Sequence, residues 1–366
     1  MLIKYLNNNK QRKTMQKLTK ITLAILTSFA MISTVVSAGE FTVTGGVKGT
    51  YSIKSGDSTS AQMENGKGLG LTNEFSLGAS GELDNGMTWN YAQDIDGATV
   101  QDDAKLTMTT DYGTIGLFIS EGSLSQKYKF DASAYGVGSD TGYGGGTTDN
   151  TMQYGTNLMS YNNIQYHLPA GLLPSGGTFK VGYSPNGNSV ANASGNHGGA
   201  PTTIKSVMET AISFAPTDAL YVGASYFERD ETTNIGQKQE SGSIVGKFTQ
   251  GPISFGLGHT RVAQANLDTK SGDYTNGYNN AAASIGYVVN DDLSISYTRE
   301  DSIRQVRNKL TTQKTSSDVS MEMDTIQAAY TMGGMTISVS NKTVDNDTYT
   351  EGKKSKETLL AFAMAF

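Results

Sequence analysis

A two-residue alternation of apolar and polar side chains recurs along the chain and constrains its fold more than any other feature. In the last eight residues, LLAFAMAF, Leu360, Phe362, Met364 and Phe366 share one face. A period of two places alternate residues on opposite faces of a β-strand. Sixteen segments carry this pattern: 41–53, 71–83, 87–95, 104–112, 115–119, 162–168, 179–183, 204–214, 220–228, 244–248, 253–259, 283–289, 293–297, 326–332, 335–339 and 358–366. The pattern predicts an all-β protein.

The connections between these segments fall into two alternating classes. Short turns rich in Gly, Asn, Asp and Pro occur at 81–86, 110–114, 215–218, 250–252, 290–292 and 333–334, and a longer link of the same chemistry at 168–177. Long polar loops lie at 54–70, 95–103, 120–160, 184–203, 229–240, 261–280, 300–320 and 342–356. A soluble β-sandwich has no reason to sort its connections in this way. Short periplasmic turns and long extracellular loops are instead typical of a transmembrane antiparallel β-barrel.

The predicted barrel has sixteen strands, so the first and last strands can pair. Closure removes the unpaired sheet edge that a bilayer would not tolerate. Several segments are shorter than the ~9–11 residues that a tilted membrane strand needs, so we expect their polar ends to extend into the loops. Phe362, Met364 and Phe366 should then face lipid on the closing strand, with Phe366 at the periplasmic interface.

The first 38 residues have the pattern of a leader. From Met15, the basic stretch MQKLTK precedes the apolar stretch ITLAILTSFAMISTVV and the small-residue site Val36-Ser37-Ala38. We predict export through the Sec pathway, cleavage after Ala38 and a barrel domain of residues 39–366. A membrane-anchoring helix is the alternative, which is disfavoured because the stretch is short and ends in a cleavage site.

Charge and cysteine content limit the function. The chain has no cysteine, which excludes disulfides and thiolate chemistry. After removal of the leader, 22 basic and 34 acidic residues remain, a formal net charge of −12. This excess argues against a nucleic-acid partner and favours an attraction for cations.

With these features the chain resembles the Gram-negative outer-membrane porins, specifically the sixteen-stranded general-diffusion group. The resemblance covers residues 39–366 and rests on the terminal Phe366, on TDYGTIGLFIS (110–120) with the long third loop after it, and on YNNIQYHLP (161–169). It implies a homotrimer in the outer membrane, in contact with the lipid bilayer and lipopolysaccharide. It also implies assembly by the outer-membrane machinery that recognises a terminal aromatic residue. No cofactor is expected.

In this family the third loop folds back into the barrel and narrows the pore. The resemblance therefore implies that the charged residues of the loop form a pore constriction; they are Glu121, Asp131, Asp140, Asp149, Lys127 and Lys129. The alternative is that each is only solvated surface. A loop of this length calls for a functional reason, which favours the first interpretation.

The alternation also predicts charges on the lumenal wall. On the first four strands these are Lys48, Glu74, Glu82, Asp94 and Lys105. Lys180, Lys205, Glu209 and Lys247 also alternate inward and receive no role beyond lining the lumen. The five arginines after the leader (Arg229, Arg261, Arg299, Arg304 and Arg307) are expected at extracellular strand ends or in loops. In the loop and the wall together, seven acids oppose four bases, which predicts a cation-preferring channel.

Two classes of function remain open at this point. The first is a passive diffusion channel for small hydrophilic solutes and ions, of which a substrate-specific channel is a narrower variant. The second is a non-conducting barrel that serves as an adhesin or structural anchor. Catalysis is disfavoured but not excluded, because no Ser-His-Asp order stands out. The three histidines show no paired metal-binding spacing, so no metal site is expected.

Overall fold

The structure is a computed structural model that describes residues 39–57, 66–96, 103–139, 152–185, 204–231, 235–267, 273–308 and 318–366. The predicted leader, and the predicted constriction residues Asp140 and Asp149, lie outside the described residues. Within these ranges, no helix has both the length and the apolar character needed to cross a membrane.

Sixteen strands in the described ranges close into one antiparallel barrel, and two short strands pair with each other outside it. The barrel strands are β1 (Glu40–Gly56), β2 (Gly66–Glu82), β3 (Thr88–Asp96), β4 (Ala104–Thr110), β5 (Gly113–Ile119), β6 (Asn163–His167), β7 (Thr178–Ser184), β8 (Ile204–Thr217), β9 (Leu220–Glu231), β11 (Gln239–Gln250), β12 (Ile253–Ala263), β14 (Asp273–Val288), β15 (Leu293–Asn308), β16 (Val319–Met332), β17 (Met335–Asp345) and β18 (Lys354–Ala365). The separate two-stranded sheet consists of β10 (Ile235–Gln237) and β13 (Asn266–Leu267). Short 3₁₀-helices occupy Leu158–Ser160 and Asp347–Tyr349.

The first and last strands close the barrel. β1 pairs with β2 on one side and with β18 on the other, in a register that runs from Gly46 opposite Ala365 to Gly56 opposite Ser355. Each of the sixteen described barrel strands therefore has two neighbours, and the barrel itself has no open sheet edge. The structure confirms the predicted all-β, sixteen-stranded antiparallel barrel.

The two faces of the wall differ in chemistry as the alternation predicts. Leu69, Leu71, Ile244, Leu257 and Ile326 are each more than half exposed on the outer face. The inner face carries small polar residues that are buried against the loop described below; they include Ser241, Ser243, Ser284, Thr298 and Ser340. Such a distribution suits lipid outside and polar contacts inside.

The strands continue further into the loops than the alternation alone indicates. The predicted segment 244–248 becomes Gln239–Gln250, and β15 continues to Asn308 through residues predicted as loop. The predicted loop 342–356 shrinks to 346–353, because Asp345 still pairs with Lys354. Outside the bilayer the outer face no longer has to be apolar, whereas the backbone ladder continues.

The predicted position of the arginines needs correction. Arg299 lies inside β15, opposite Ala283 and Asp324, and not at a strand end. Its guanidinium contacts Asp301, Glu322 and Asp324 at 2.5–3.1 Å, on the same face as the exposed Tyr297. A ring of carboxylates satisfies the charge there, so an arginine is tolerated on the outer face.

Candidate functional site: the loop inside the barrel

Residues 120–162, between β5 and β6, form what we call the third-loop segment, of which 120–139 and 152–162 are described. Its backbone runs along the inner face of the wall, because polar side chains on successive strands bond its peptide groups. The contacts are Leu124 N to Glu209 on β8 (3.2 Å), Gln126 N to Ser225 on β9 (3.0 Å), Lys247 on β11 to Asp131 O (3.2 Å), Ala132 N to Ser284 on β14 (3.0 Å), Ser139 N to Glu300 on β15 (3.1 Å), Tyr135 N to Gln327 on β16 (3.2 Å) and Lys342 on β17 to Gly138 O (3.2 Å).

Phe130 packs on β12 at a place where glycine leaves room. Its side chain is fully buried and contacts Val137 and Val245. A Cβ atom at Gly258 would lie 2.8 Å from the Phe130 ring, and one at Gly256 would overlap the Phe130 carbonyl oxygen. The absence of a side chain at these two inward positions is what lets the loop backbone approach the wall.

Glu209 joins the two ends of the third-loop segment. Its Oε2 accepts a hydrogen bond from Leu124 N at 3.2 Å and another from Leu158 N at 2.9 Å. The side chain is only 1% exposed. A buried carboxylate is tolerated when hydrogen-bond donors surround it, and here the donors come from both limbs of the loop. The sequence placed Glu209 on the inner face, but nothing in it indicated this role.

A second wall glutamate, Glu300, also joins the two described parts of the third-loop segment, at Ser139 and Tyr154. It accepts hydrogen bonds from Ser139 N at 3.1 Å, from Ser139 Oγ, and from Tyr154 OH at 3.1 Å. Lys342 donates to Gly138 O and pairs with Glu357 at 3.0 Å. Nothing in the sequence indicated these roles for Glu300 and Lys342, because their partners in the loop are about 150–200 positions away along the chain.

The loop charges predicted from the sequence have different surroundings. Glu121 pairs with the wall residue Lys105 at 2.6 Å, so the structure brings these two predicted residues together. Asp131 accepts two hydrogen bonds from Ser133, both at 2.9 Å. Lys127 donates to Gly155 O at 3.1 Å and thus joins the two limbs, whereas Lys129 is exposed.

The carboxyl group of Asp131 is electrostatically unusual for a loop aspartate. Burial raises its pKa above the ordinary range, although hydrogen bonds from Ser133 and the nearby Lys247 ammonium oppose the shift. A raised pKa means that this group takes up a proton at a less acidic pH than a solvated aspartate does.

The predicted wall residues lie on β1 to β4, away from most of the loop's hydrogen bonds. Lys48 Nζ lies 5.9 Å from the centre of the Tyr135 ring, and Asp94 accepts a hydrogen bond from Ser76. In the register of β2 with β3, Glu74 lies opposite Asp96, and Glu82 lies opposite Thr88 at the short-turn end of β2. The backbone hydrogen bonds of the third-loop segment given above therefore run to β8, β9, β11 and β14 to β17, and not to the strands that carry these residues.

A second loop reaches into the lumen, which the sequence analysis did not foresee. Tyr349, in segment 346–353, is buried among Met152, Tyr154, Met321 and Met323. Its hydroxyl lies 2.6 Å from Ser302 Oγ, and its carbonyl oxygen accepts a hydrogen bond from Arg304 at 3.1 Å. Asn346, Thr348 and Tyr349 all have φ of 53–55°, a left-handed conformation that non-glycine residues seldom adopt. The surrounding contacts hold the loop in this form.

The three residues predicted for barrel closure, Phe362, Met364 and Phe366, are each more than 40% exposed, on the outer face. The Phe366 ring centre lies 5.6 Å from that of Phe75, at an edge-on angle of 64°. In the described part of the chain, no group of three or more His, Asp and Glu residues is arranged to hold a metal ion.

The closed antiparallel barrel of sixteen strands gives the chain a porin fold, which several solved proteins of Gram-negative bacteria share. The anion-selective porin from Comamonas acidovorans shares this fold at a TM-score of 0.66 and 11% identity, over 90% of this chain and 100% of that one. The trimer form of OmpT from Vibrio cholerae superposes with a TM-score of 0.63 and 11% sequence identity, over 90% of this chain and 100% of that one. OmpF from Salmonella typhi superposes with a TM-score of 0.61 and 14% sequence identity, over 90% of this chain and 98% of that one.

The likeness to known proteins is found in structure and not in sequence. No protein-family model matches the chain, and no curated protein sequence matches it. At identities of 11–14%, the likeness to the solved porins shows the fold alone. The chain has a porin fold, and its function has to be argued from its own residues.

Proposed function

We propose that this protein is an outer-membrane porin, a passive diffusion channel for small hydrophilic solutes and ions. The observation that carries the proposal is the closed sixteen-stranded barrel with the third-loop segment hydrogen-bonded to its inner wall. Charged groups also lie where this segment approaches β1 and β4, namely Lys48 beside Tyr135 and Lys105 paired with Glu121. A lining of mixed charges and hydroxyl groups suits hydrated solutes.

Conductance in a planar bilayer tests the channel. The purified, folded protein should insert in discrete conductance steps that grow in proportion to salt concentration. A conductance that saturates with one solute would favour a substrate-specific channel. Folded barrel that inserts without conductance would contradict the proposal and favour an adhesin or structural anchor.

The proposal includes the route to the outer membrane. Export through the Sec pathway and cleavage after Ala38 would leave Gly39 as the first residue, one position before β1 begins at Glu40. The mature barrel, residues 39–366, would then contact lipid and lipopolysaccharide. N-terminal sequencing of the outer-membrane protein should begin at Gly39; retention of the apolar stretch would instead indicate an anchor.

The oligomeric state is proposed to be a homotrimer. One solved neighbour, the Vibrio cholerae OmpT, is described in a trimer form. The outer face of this chain is apolar and suits either lipid or another barrel. Mass measurement in detergent should give three times the monomer mass, and a monomer alone would overturn this part of the proposal.

The channel is proposed to prefer cations. The pairing of Lys105 with Glu121 removes one charge of each sign, so the excess of acids over bases predicted for the loop and wall is unchanged. The reversal potential in a salt gradient should have the sign of cation preference and should decline as salt rises, because screening shortens the range of these charges.

Neutralising the loop acids tests this preference directly. Asp131→Asn, Asp140→Asn and Asp149→Asn combined with Glu121→Gln should move the reversal potential toward zero or toward anions. Asp218→Asn, in the short turn between β8 and β9, is the matched control and should leave it unchanged. Anion preference of the unmodified channel would show that these acids do not govern the constriction.

A further inference from the structure

One peptide group of the third-loop segment is held between two opposite charges of the barrel wall. The carbonyl oxygen of Gly138 accepts a hydrogen bond from Lys342 Nζ at 3.2 Å. The N–H of Ser139, which belongs to the same peptide group, donates to Glu300 Oε2 at 3.1 Å. The lysine is on β17 and the glutamate on β15, so the loop bridges two strands of the wall.

This arrangement matches the polarity of the peptide group. A peptide dipole has its positive end at N–H and its negative end at C=O, and each end faces the opposite charge. Glu300 is fully buried and Lys342 is 3% exposed, so solvent screens these contacts little. Hydrogen bonds to ionised groups are also roughly twice as strong as neutral ones.

Glycine is needed for the loop to come this close. A Cβ atom at Gly138 would overlap Thr325 Oγ1 and lie 2.9 Å from Met323 Sδ on β16. Gly138 therefore has a steric role, and the neighbouring Ser139 adds a hydroxyl donor to the same carboxylate. Val137 and Ser139, on either side of Gly138, are buried as well.

Glu300 requires both of its carboxylate oxygens. Oε2 accepts the Ser139 N–H, while Oε1 accepts the Ser139 hydroxyl and the Tyr154 hydroxyl at 3.1 Å. An amide offers one acceptor oxygen, and its NH₂ group would face donors. Glutamine is thus close to glutamate in shape but cannot replace it here.

We propose that Glu300 and Lys342 are positioning residues that fix residues 135–139 of the third-loop segment and thereby the channel aperture. The proposal rests on the proposed channel function. Tyr135, whose ring centre lies 5.9 Å from Lys48 Nζ on β1, lies only three residues before Gly138. Release of the Gly138–Ser139 peptide frees this part of the loop to move relative to β1.

Glu300→Gln tests the proposal, and Glu322→Gln is its matched control. Glu322 lies on the neighbouring strand β16 but pairs with Arg299 on the outer face, away from the loop. Glu300→Gln should raise the open-channel current noise and shift the mean single-channel conductance, whereas Glu322→Gln should retain the unmodified values. Heat-dependent mobility on gels reports whether each barrel is folded.

Ser139→Ala, on the loop itself, provides the second variant should Glu300→Gln fail to assemble. It removes one donor to Glu300 without altering the wall, and it should shift conductance in the same direction. If both variants conduct like the unmodified channel, the positioning role is wrong. If the unmodified, folded protein does not conduct, the channel function is wrong, which is a different result.

Discussion

Gly45 and Phe366 exchange two backbone hydrogen bonds, at 2.8 and 2.9 Å, that join the last residue of the chain to β1. The Phe366 ring lies against Gly45, where a Cβ atom would meet the ring at 2.6 Å, and packs edge-on against Phe75. The terminal aromatic residue is therefore part of the seam that closes the barrel.

Loss of Phe366 should impair assembly. Its deletion removes both backbone bonds, and Phe366→Asp places a charge at the membrane interface. We expect less barrel in the outer membrane and more protease-sensitive protein in the periplasm, measured by fractionation and blotting. Phe366→Tyr keeps an aromatic ring and should assemble normally. Unchanged levels after deletion would show that the terminal residue is incidental.

A side chain at Gly256 should displace the third-loop segment. Gly256→Ala forces a methyl group into the Phe130 carbonyl, and overpacking of this kind costs about 1–3 kcal/mol. We expect a lower unfolding free energy in detergent and an altered conductance. Gly246→Ala on β11 is the control, because the nearest atom to its Cβ would be at an ordinary 3.8 Å. Equal behaviour of the two variants would contradict the close approach of Phe130.

Tyr349 should hold segment 346–353 inside the lumen. Tyr349→Ala removes a buried aromatic ring and should cost about 3–5 kcal/mol of stability. Tyr349→Phe removes only the hydroxyl group, with its contacts to Ser302 Oγ and Gln153 N, and should cost about 1 kcal/mol. Thermal unfolding in detergent measures both, and limited proteolysis should cut segment 346–353 faster in the alanine variant. If the alanine variant resists proteolysis as well as the unmodified protein does, Tyr349 does not hold segment 346–353 in place.

Asp131 should give the channel a pH dependence. Because burial raises its pKa, lowering the pH protonates it before ordinary aspartates and removes a negative charge from the passage. The cation preference, measured as reversal potential, should fall across that range. This pH-dependent fall in cation preference should be absent in Asp131→Asn and present in Asp218→Asn. If the reversal potential changes with pH identically in all three proteins, Asp131 is not the source of the pH dependence.

The same group has a predictable effect on stability. The folded protein binds the Asp131 proton more tightly than the unfolded chain does. The resulting stabilisation is present below the ordinary aspartate pKa and is lost as the pH rises through the raised value. Thermal unfolding of the unmodified protein should therefore show this loss, and Asp131→Asn should not.

The sequence by itself determined the barrel and the direction of the side chains within the sixteen alternating segments. A strand places successive residues on opposite faces whatever its partners are, so Leu257 outside and Ser284 inside could be assigned from local pattern. The pairing of Phe366 with the start of the chain followed as well, because an even-stranded barrel must close on itself. Strand ends were less accurate, since the apolar signal stops at the bilayer and the ladder does not.

The position of the loop was decided only by tertiary structure. Glu300 and Lys342 fall at the edges of the long loops predicted at 300–320 and 342–356. Their role arises because β15 and β17 extend through them and the barrel brings them to Ser139 and Gly138, about 160 and 200 residues away. The sequence could assign Glu121 to the loop and Lys105 to the wall, but only the fold pairs them. Alternation fixes the face that a residue occupies, whereas its partner depends on long-range packing.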